Sequence, residues 1–175
     1  MRASLDEMGA FEKLFVWDGD KIEDTKFWCE PALTSSALKD LPKLFDLQEI
    51  DGFCALEARG FILAGMAAAL YEKPVMLARK HKGFYDKMAH SKIEYTNWKG
   101  EPEALTLLRK VNPSLGRVLI IDDILDTGAS LRAVAELLGR EGIGIVGAYY
   151  LLDASVSAMT GIKFPIVSAV KHHLL

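Results

Sequence analysis

The chain has 175 residues, half of them hydrophobic, which suits one substantial core better than two. A net charge of −3 and a pI near 5.8 give no general attraction to nucleic acid or acidic lipid, so an anionic ligand needs a local basic site. Cys29 and Cys54 lack the second pair of a zinc set, the apolar stretch Gly60 to Tyr71 is too short to span a bilayer, and Asp6 and Glu7 stand where a targeting segment is basic or apolar. A reduced, cytoplasmic protein that enters no membrane is the expectation.

Ser4, Leu5, Asp6 and Glu7 have the spacing of a capping box and predict a short helix to about Phe15, followed by a turn at Asp18, Gly19 and Asp20. Leu38, Leu41, Phe45 and Leu47 predict a helix between Thr34 and Glu49 that Pro42 kinks or divides. The pattern then becomes regular. A strand at Phe53 to Leu56, a helix at Gly60 to Leu70 and a strand at Val75 to Ala78 come in succession. Beyond a polar loop lie candidate strands at Lys92 to Thr96 and Ala104 to Leu108, a turn at Asn112 and Pro113, and the β-branched run Val118 to Ile121. A helix at Ala129 to Arg140 ends on Gly142, and strands near Ile143 to Leu151 and Phe164 to Val170 complete the chain.

Strands alternating with helices imply an α/β fold with an open, mostly parallel twisted sheet flanked by helices, with no internal repeat or linker to divide it. Charged residues follow each apolar run: Glu57 and Arg59, then Arg79 and Lys80, then Asp122 and Asp123, then Asp153. Loops are solvated and carry charge for that reason alone, but a solvated loop does not need two adjacent aspartates. The carboxyl ends of parallel strands share one sheet edge, so these groups converge where open α/β folds hold ligands.

The sharpest segment runs from Val118 to Ser130: a strand, an acidic pair, a loop and a helix start. Thr127 to Ser130 place amides and two hydroxyls at a helix N-terminus, which favours phosphate. Asp122 and Asp123 repel phosphate; they suit hydrogen bonds from hydroxyls, or a hard cation held directly or through water. Hydroxyls beside a terminal phosphate describe a sugar phosphate.

Four apolar residues, an acidic pair, two apolar residues and then x-Thr-Gly resemble the phosphoribosyl pyrophosphate motif of type I phosphoribosyltransferases. Leu56 to Phe61, Arg79-Lys80, Ile93-Glu94-Tyr95 and Pro165 to Ser168 fall in the order found in the adenine enzymes of that family, over roughly Gly52 to Val170. The resemblance implies one domain over 1–175, with residues 1–50 as a small N-terminal hood and 80–92 as a flexible lid. It implies that Thr127, Gly128, Ala129 and Ser130 grip the 5′-phosphate beside Leu125, and that Asp122 and Asp123 hold the ribose hydroxyls and contribute to a metal site. Glu57, Ala58, Arg59 and Gly60 would form the pyrophosphate loop, often with a non-proline cis peptide, assisted by Arg79 and Lys80.

The implied reaction is a Mg²⁺-assisted displacement of pyrophosphate from phosphoribosyl pyrophosphate by a purine base, in a homodimer. Glu94 and Asp126 are the candidate catalytic carboxylates. Asp126 is a departure, since adenine enzymes usually have alanine there and enzymes of 6-oxopurines commonly have aspartate. The lid lacks the Gly-Lys-Leu-Pro-Gly of the adenine enzymes, and the hood around Phe27, Trp28 and Cys29 matches poorly. A hypoxanthine, guanine or xanthine transferase is therefore the second reading, and a non-catalytic sensor of the activated sugar the third, although no basic DNA-binding arm accompanies it.

Other features carry less. Gly142 to Gly147 spells a dinucleotide fingerprint but follows a helix and opens a strand, the reverse of the context needed, and no Walker sequence is present. His81, His90, His172 and His173 lack ligand spacing and read as solvated. Cys54 reads as core, and Trp17, Trp28 and Trp98 could stack on a base but read as packing residues of a core or subunit interface.

Overall fold

The computed structural model describes residues 15–18, 21–80, 91–108, 115–155 and 159–171. The helix expected from Ser4, the lid and the turn at Asn112 lie outside them, apart from the margins of the first two. The chain enters through an antiparallel hairpin of β1 (Val16–Asp18) and β2 (Lys21–Glu23), where the sequence indicated only a turn. A short helix α1 (Thr25–Trp28) follows. The helix anticipated between Thr34 and Glu49 starts earlier and is divided: α2 spans Pro31–Lys39, α3 spans Leu41–Leu44, and a 3-10 turn covers Leu47–Glu49. Both prolines sit in first turns, where a missing N–H costs nothing.

The remainder is β3 (Gly52–Leu56), α4 (Gly60–Tyr71), β4 (Val75–Lys80), β5 (Ser91–Thr96), β6 (Pro102–Leu107), β7 (Arg117–Leu125), α5 (Ala129–Arg140), β8 (Gly144–Asp153) and β9 (Ile166–Lys171). Seven strands form one sheet in the order β5-β6-β4-β3-β7-β8-β9. From β4 to β9 all neighbours are parallel, while β6 runs antiparallel to both β4 and β5. The expected open, mostly parallel sheet is thus present, extended at one edge by a hairpin.

Both faces of the central strands are buried, because each alternate set of side chains has a layer to meet. Phe53 and Ala55 of β3, with Leu119 and Ile121 of β7, pack with Leu63, Ala64 and Ala67 of α4 and with the N-terminal residues Phe27, Leu38 and Leu41. Cys54, Leu56, Val118 and Ile120 point the other way, to Leu131, Val134, Leu137 and Leu138 of α5. Each fully buried leucine, isoleucine or phenylalanine contributes about 1.5–3 kcal/mol. Cys54 is core as expected, with its thiol pushed up to about 12 by burial. Helix α5 ends where Gly142 takes a φ of 68° and Ile143 N–H donates to the Leu138 carbonyl at 2.9 Å.

Three strands run further than their apolar runs, β8 among them, since it takes in Asp153. β4 includes Arg79 and Lys80, because the ladder with β6 continues through Lys80↔Leu105. β7 includes Asp122 and Asp123, because pairing with β8 continues to Leu125↔Asp153. The charged residues expected after these strands therefore lie inside them, near their carboxyl ends.

Candidate active site

β3 and β7 are neighbours, yet β3 leads through α4 to β4 on one side while β7 leads through α5 to β8 on the other. The crevice outside the carboxyl ends of such a diverging pair is where open α/β sheets accept ligands. Here the loops at 57–59 and 126–128 flank a cavity of about 670 Å³, a volume suited to a small-molecule substrate. The Glu57–Ala58 peptide is cis, in the loop where the resemblance implies one. Gly60 starts α4 so close to β7 that a Cβ would lie 2.6 Å from Asp122 Oδ1 and 3.1 Å from the Ile121 carbonyl. Only glycine permits that approach.

On the β7 side, Leu125 is buried and its carbonyl accepts from Ala154 N–H at 2.8 Å, which anchors the loop. Gly128 turns the chain with a φ of 70°, a value that favours glycine. No side chain caps α5 at this residue. Thr127 Oγ1 accepts only a long bond, 3.3 Å, from Ala129 N–H, and Arg132 Nη2 donates to the Thr127 carbonyl at 2.8 Å. Ser130 Oγ lies 3.4 Å from the hydroxyl of Tyr95, which hydrogen-bonds Glu103; burial and that bond push the Tyr95 phenol up to about 12. At this helix tip, amides without a cap from Gly128, two hydroxyls and a small recess lined by residues 124–131 come together, a set of groups chemically suited to an anion.

On the β3 side the ions are already paired. Arg59 Nε lies 2.5 Å from Asp123 Oδ2, and its Nη1 donates to Asp24 Oδ1 at 2.8 Å. Lys80 donates its backbone N–H to Glu57 Oε2 at 2.7 Å and sets its ammonium 3.2 Å from Glu103. Desolvation, followed by repulsion from Asp123, holds the Asp122 carboxyl well above the usual carboxylate range, even though part of its side chain faces the cavity.

Asp122, Asp123, Asp126, Glu57, Ala58, Arg59, Lys80 and Ser130 line the one cavity, and Leu125 to Ala129 line the recess beside it. Gly60 acts behind them as a spacer. Arg79 is placed otherwise: its guanidinium lies 5.5 Å from the Phe61 ring centroid and its carbonyl accepts from Thr106 at 3.1 Å. Glu94 projects from β5 with its side chain 78% exposed, 3.0 Å from Lys92, and is not among the lining residues.

Sequence reasoning missed Ile22, Glu23 and Lys99, which wall the cavity together with Trp98. Trp98 is 46% exposed and overlooks both cavity and recess, so it does not fill the core of this chain. Its place follows from a turn in which Asn97 Oδ1 accepts from the N–H groups of Lys99 and Glu101, both at 3.0 Å, and Gly100 takes a φ of 79°. The Asn97 to Gly100 spacing was the available signal.

The model of the phosphoribosyl transferase domain matches residues 43–165. The chain is 34% identical over 145 residues to an adenine phosphoribosyltransferase of Nitrosopumilus maritimus, covering 82% of this chain and 84% of that one. A xanthine phosphoribosyltransferase of Alkaliphilus metalliredigens is 26% identical over 116 residues, or 66% of this chain and 57% of that one. In fold it is similar to the crystal structure of adenine phosphoribosyltransferase from Rhodothermus marinus, with a TM-score of 0.77 at 23% identity, covering 95% and 99% of the two chains. With the motif of β7 and α5 set at the sheet's switch point and the match extending over most of its length, the chain belongs to the phosphoribosyltransferase family.

Proposed function

We propose that the protein transfers the ribose phosphate of phosphoribosyl pyrophosphate to a purine base, with adenine as the favoured base, releasing pyrophosphate and a nucleoside 5′-monophosphate. The observation that carries this reading is the pairing of a helix tip at Gly128 without a side-chain cap with two carboxylates near the end of β7, which line one cavity together with Arg59 and Lys80. The tip suits the 5′-phosphate and the carboxylates suit the ribose hydroxyls. Arg59 and Lys80 suit the pyrophosphate.

In the reaction the bond from the anomeric carbon to pyrophosphate oxygen breaks, a ring nitrogen of the base bonds to that carbon, and the base gives up a proton. Asp122 and Asp123 offset the positive character that develops on the sugar, and the cations offset the charge on the leaving group. Asp126, which lines the cavity, is placed to orient the base and accept its proton. Glu94 serves that role only if β5 presents it differently when the site is loaded.

Among the described residues no three acids, histidines or cysteines group to hold a metal ion. Two carboxylates beside a phosphate-rich substrate nevertheless fit Mg²⁺, which keeps much of its coordination from phosphate oxygens and water. Asp122 and Asp123 would hold it, and it would neutralise charge on the departing pyrophosphate. We extend the reading to the N-terminal part as the hood over the base, residues 80–92 as the lid, and a cytoplasmic homodimer. The exposed apolar side chains of Ile62 and Leu70 on α4 support a dimer, and light scattering tests it.

The second reading is a 6-oxopurine transferase, favoured by Asp126 and by the similarity to a xanthine enzyme. Both are tested by supplying each base in turn with the activated sugar and Mg²⁺ and measuring nucleotide and pyrophosphate. Adenine should turn over fastest. Turnover of 6-oxopurines alone would reject adenine, and tight sugar binding without turnover of any base would point to a sensor.

A further inference from the structure

We propose that Asp24 is a positioning residue for the leaving-group side of the site: it holds the Arg59 guanidinium in place once the sugar has taken over Asp123. The inference rests on the proposed reading of the cavity. Asp24 belongs to the N-terminal part, far in sequence from the motifs, and is 1% exposed. It stands immediately before α1, at the N-cap, where an aspartate ordinarily caps its own helix, yet its side chain makes no cap. Instead Oδ1 accepts from Arg59 Nη1 at 2.8 Å.

A buried carboxylate gains little stability from its ion pair, because the desolvation cost offsets the attraction. Beyond Arg59, Asp24 faces the Trp28 indole N–H, although neither Asp24 Oδ2 nor Trp28 Nε1 reaches good hydrogen-bond geometry. Burial pushes the Asp24 carboxyl up, the Arg59 charge pulls it down, Asp123 pushes it up again, and the Trp28 N–H draws it down. Among the described residues, its one direct charged hydrogen bond is to the arginine, which is the contact the inference is built on.

Arg59 is clamped between two acids of unlike situation. Asp123 lines the cavity and is open to ribose hydroxyls, whereas Asp24 is not among the lining residues. When hydroxyls claim Asp123, Asp24 remains as the anchor, and the other guanidinium nitrogens are left to face pyrophosphate. The adjacent Ile22 and Glu23 do line the cavity, so one short stretch both walls the site and braces the arginine.

The test is a double-mutant cycle on steady-state kinetics with Asp24→Asn, Arg59→Gln and the two combined. D24N should raise the KM for phosphoribosyl pyrophosphate about tenfold, with kcat and the KM for the base within about threefold. In the R59Q background the same change should add nothing, because the group it acts through is gone. Asp24→Glu, which keeps the charge, should recover part of the loss. R59Q and the combined variant both leave Asp123 without its ion pair, so comparing the two isolates the change at position 24 and remains informative where D24N alone folds poorly.

A rise in the base KM instead, or an equal loss in the R59Q background, would overturn the role of Asp24 while leaving the transferase reading intact. Failure of the unaltered protein to bind phosphoribosyl pyrophosphate by calorimetry would overturn both. Binding without turnover would sink only the catalytic reading, and the cycle would then be read on the binding constant.

Discussion

The two loops that flank the cavity are prepared for their ligands in opposite ways. The loop at 126–128 leaves its helix tip with only a long Thr127 hydroxyl bond and is braced from behind by Arg132 and by the Leu125 carbonyl, so on the proposed reading a phosphate would meet donors that need little rearrangement. The loop at 57–59 holds its ions in internal partnerships, Arg59 with Asp24 and Asp123, and Glu57 with the Lys80 backbone. A ligand there must exchange partners rather than fill an open seat. Fixed donors give affinity at low reorganisation cost, whereas paired ions allow the charge presented to the leaving group to depend on whether the sugar is bound.

The largest effect should come from Asp123, the residue that belongs to both sides. Asp123→Asn removes a ribose partner and loosens Arg59 together, and should lower kcat/KM by about 100-fold or more with the fold retained, as circular dichroism would verify. Unchanged kinetics would separate the pair from the site. Next is Gly128→Ala, which strains a backbone at φ 70° and disturbs the open seat; about a tenfold rise in the sugar KM is expected, with the base KM unaffected. An equal rise in both would mean that the tip does not hold the phosphate.

Asp126→Ala should act on base choice more than on sugar binding, shifting the ratio of adenine to 6-oxopurine turnover about tenfold toward adenine. No change in that ratio would remove Asp126 from base recognition.

The smallest effect concerns stability. Asp122 has its folded carboxyl raised above the unfolded value of 3.8, so the folded state keeps a proton that the unfolded chain has lost. Stability therefore falls as pH rises through that raised value. Asp122→Asn should make the ligand-free protein more stable at neutral pH and flatten this part of the profile, while impairing turnover. Thermal melts against pH check it, and a less stable variant at neutral pH would contradict the burial of a charge there.

The difference between the two loops also explains how much could be read in advance. The β7 loop and α5 are contiguous, so the acidic pair, the glycine and the helix start announce themselves at fixed spacing. The helix at Ala129 to Arg140 was legible to the residue. The other loop depends on partners brought by the fold, and Asp24 and Arg59 are separated by 35 positions with no local pattern linking them. Strand ends were misjudged where ladder pairing carried Arg79, Lys80, Asp122 and Asp123 beyond the apolar run. Sequence hydropathy records which side chains are buried, but a strand stops where its neighbours stop offering hydrogen bonds.

The most direct test of the central claim is a crystal structure of the protein with phosphoribosyl pyrophosphate and Mg²⁺. The 5′-phosphate should sit on the amides that follow Gly128, the ribose hydroxyls on Asp122 and Asp123, and Arg59 should have left Asp123 for the pyrophosphate. A sugar phosphate bound elsewhere, or a site in which Arg59 keeps Asp123 while the helix tip stays vacant, would contradict the account.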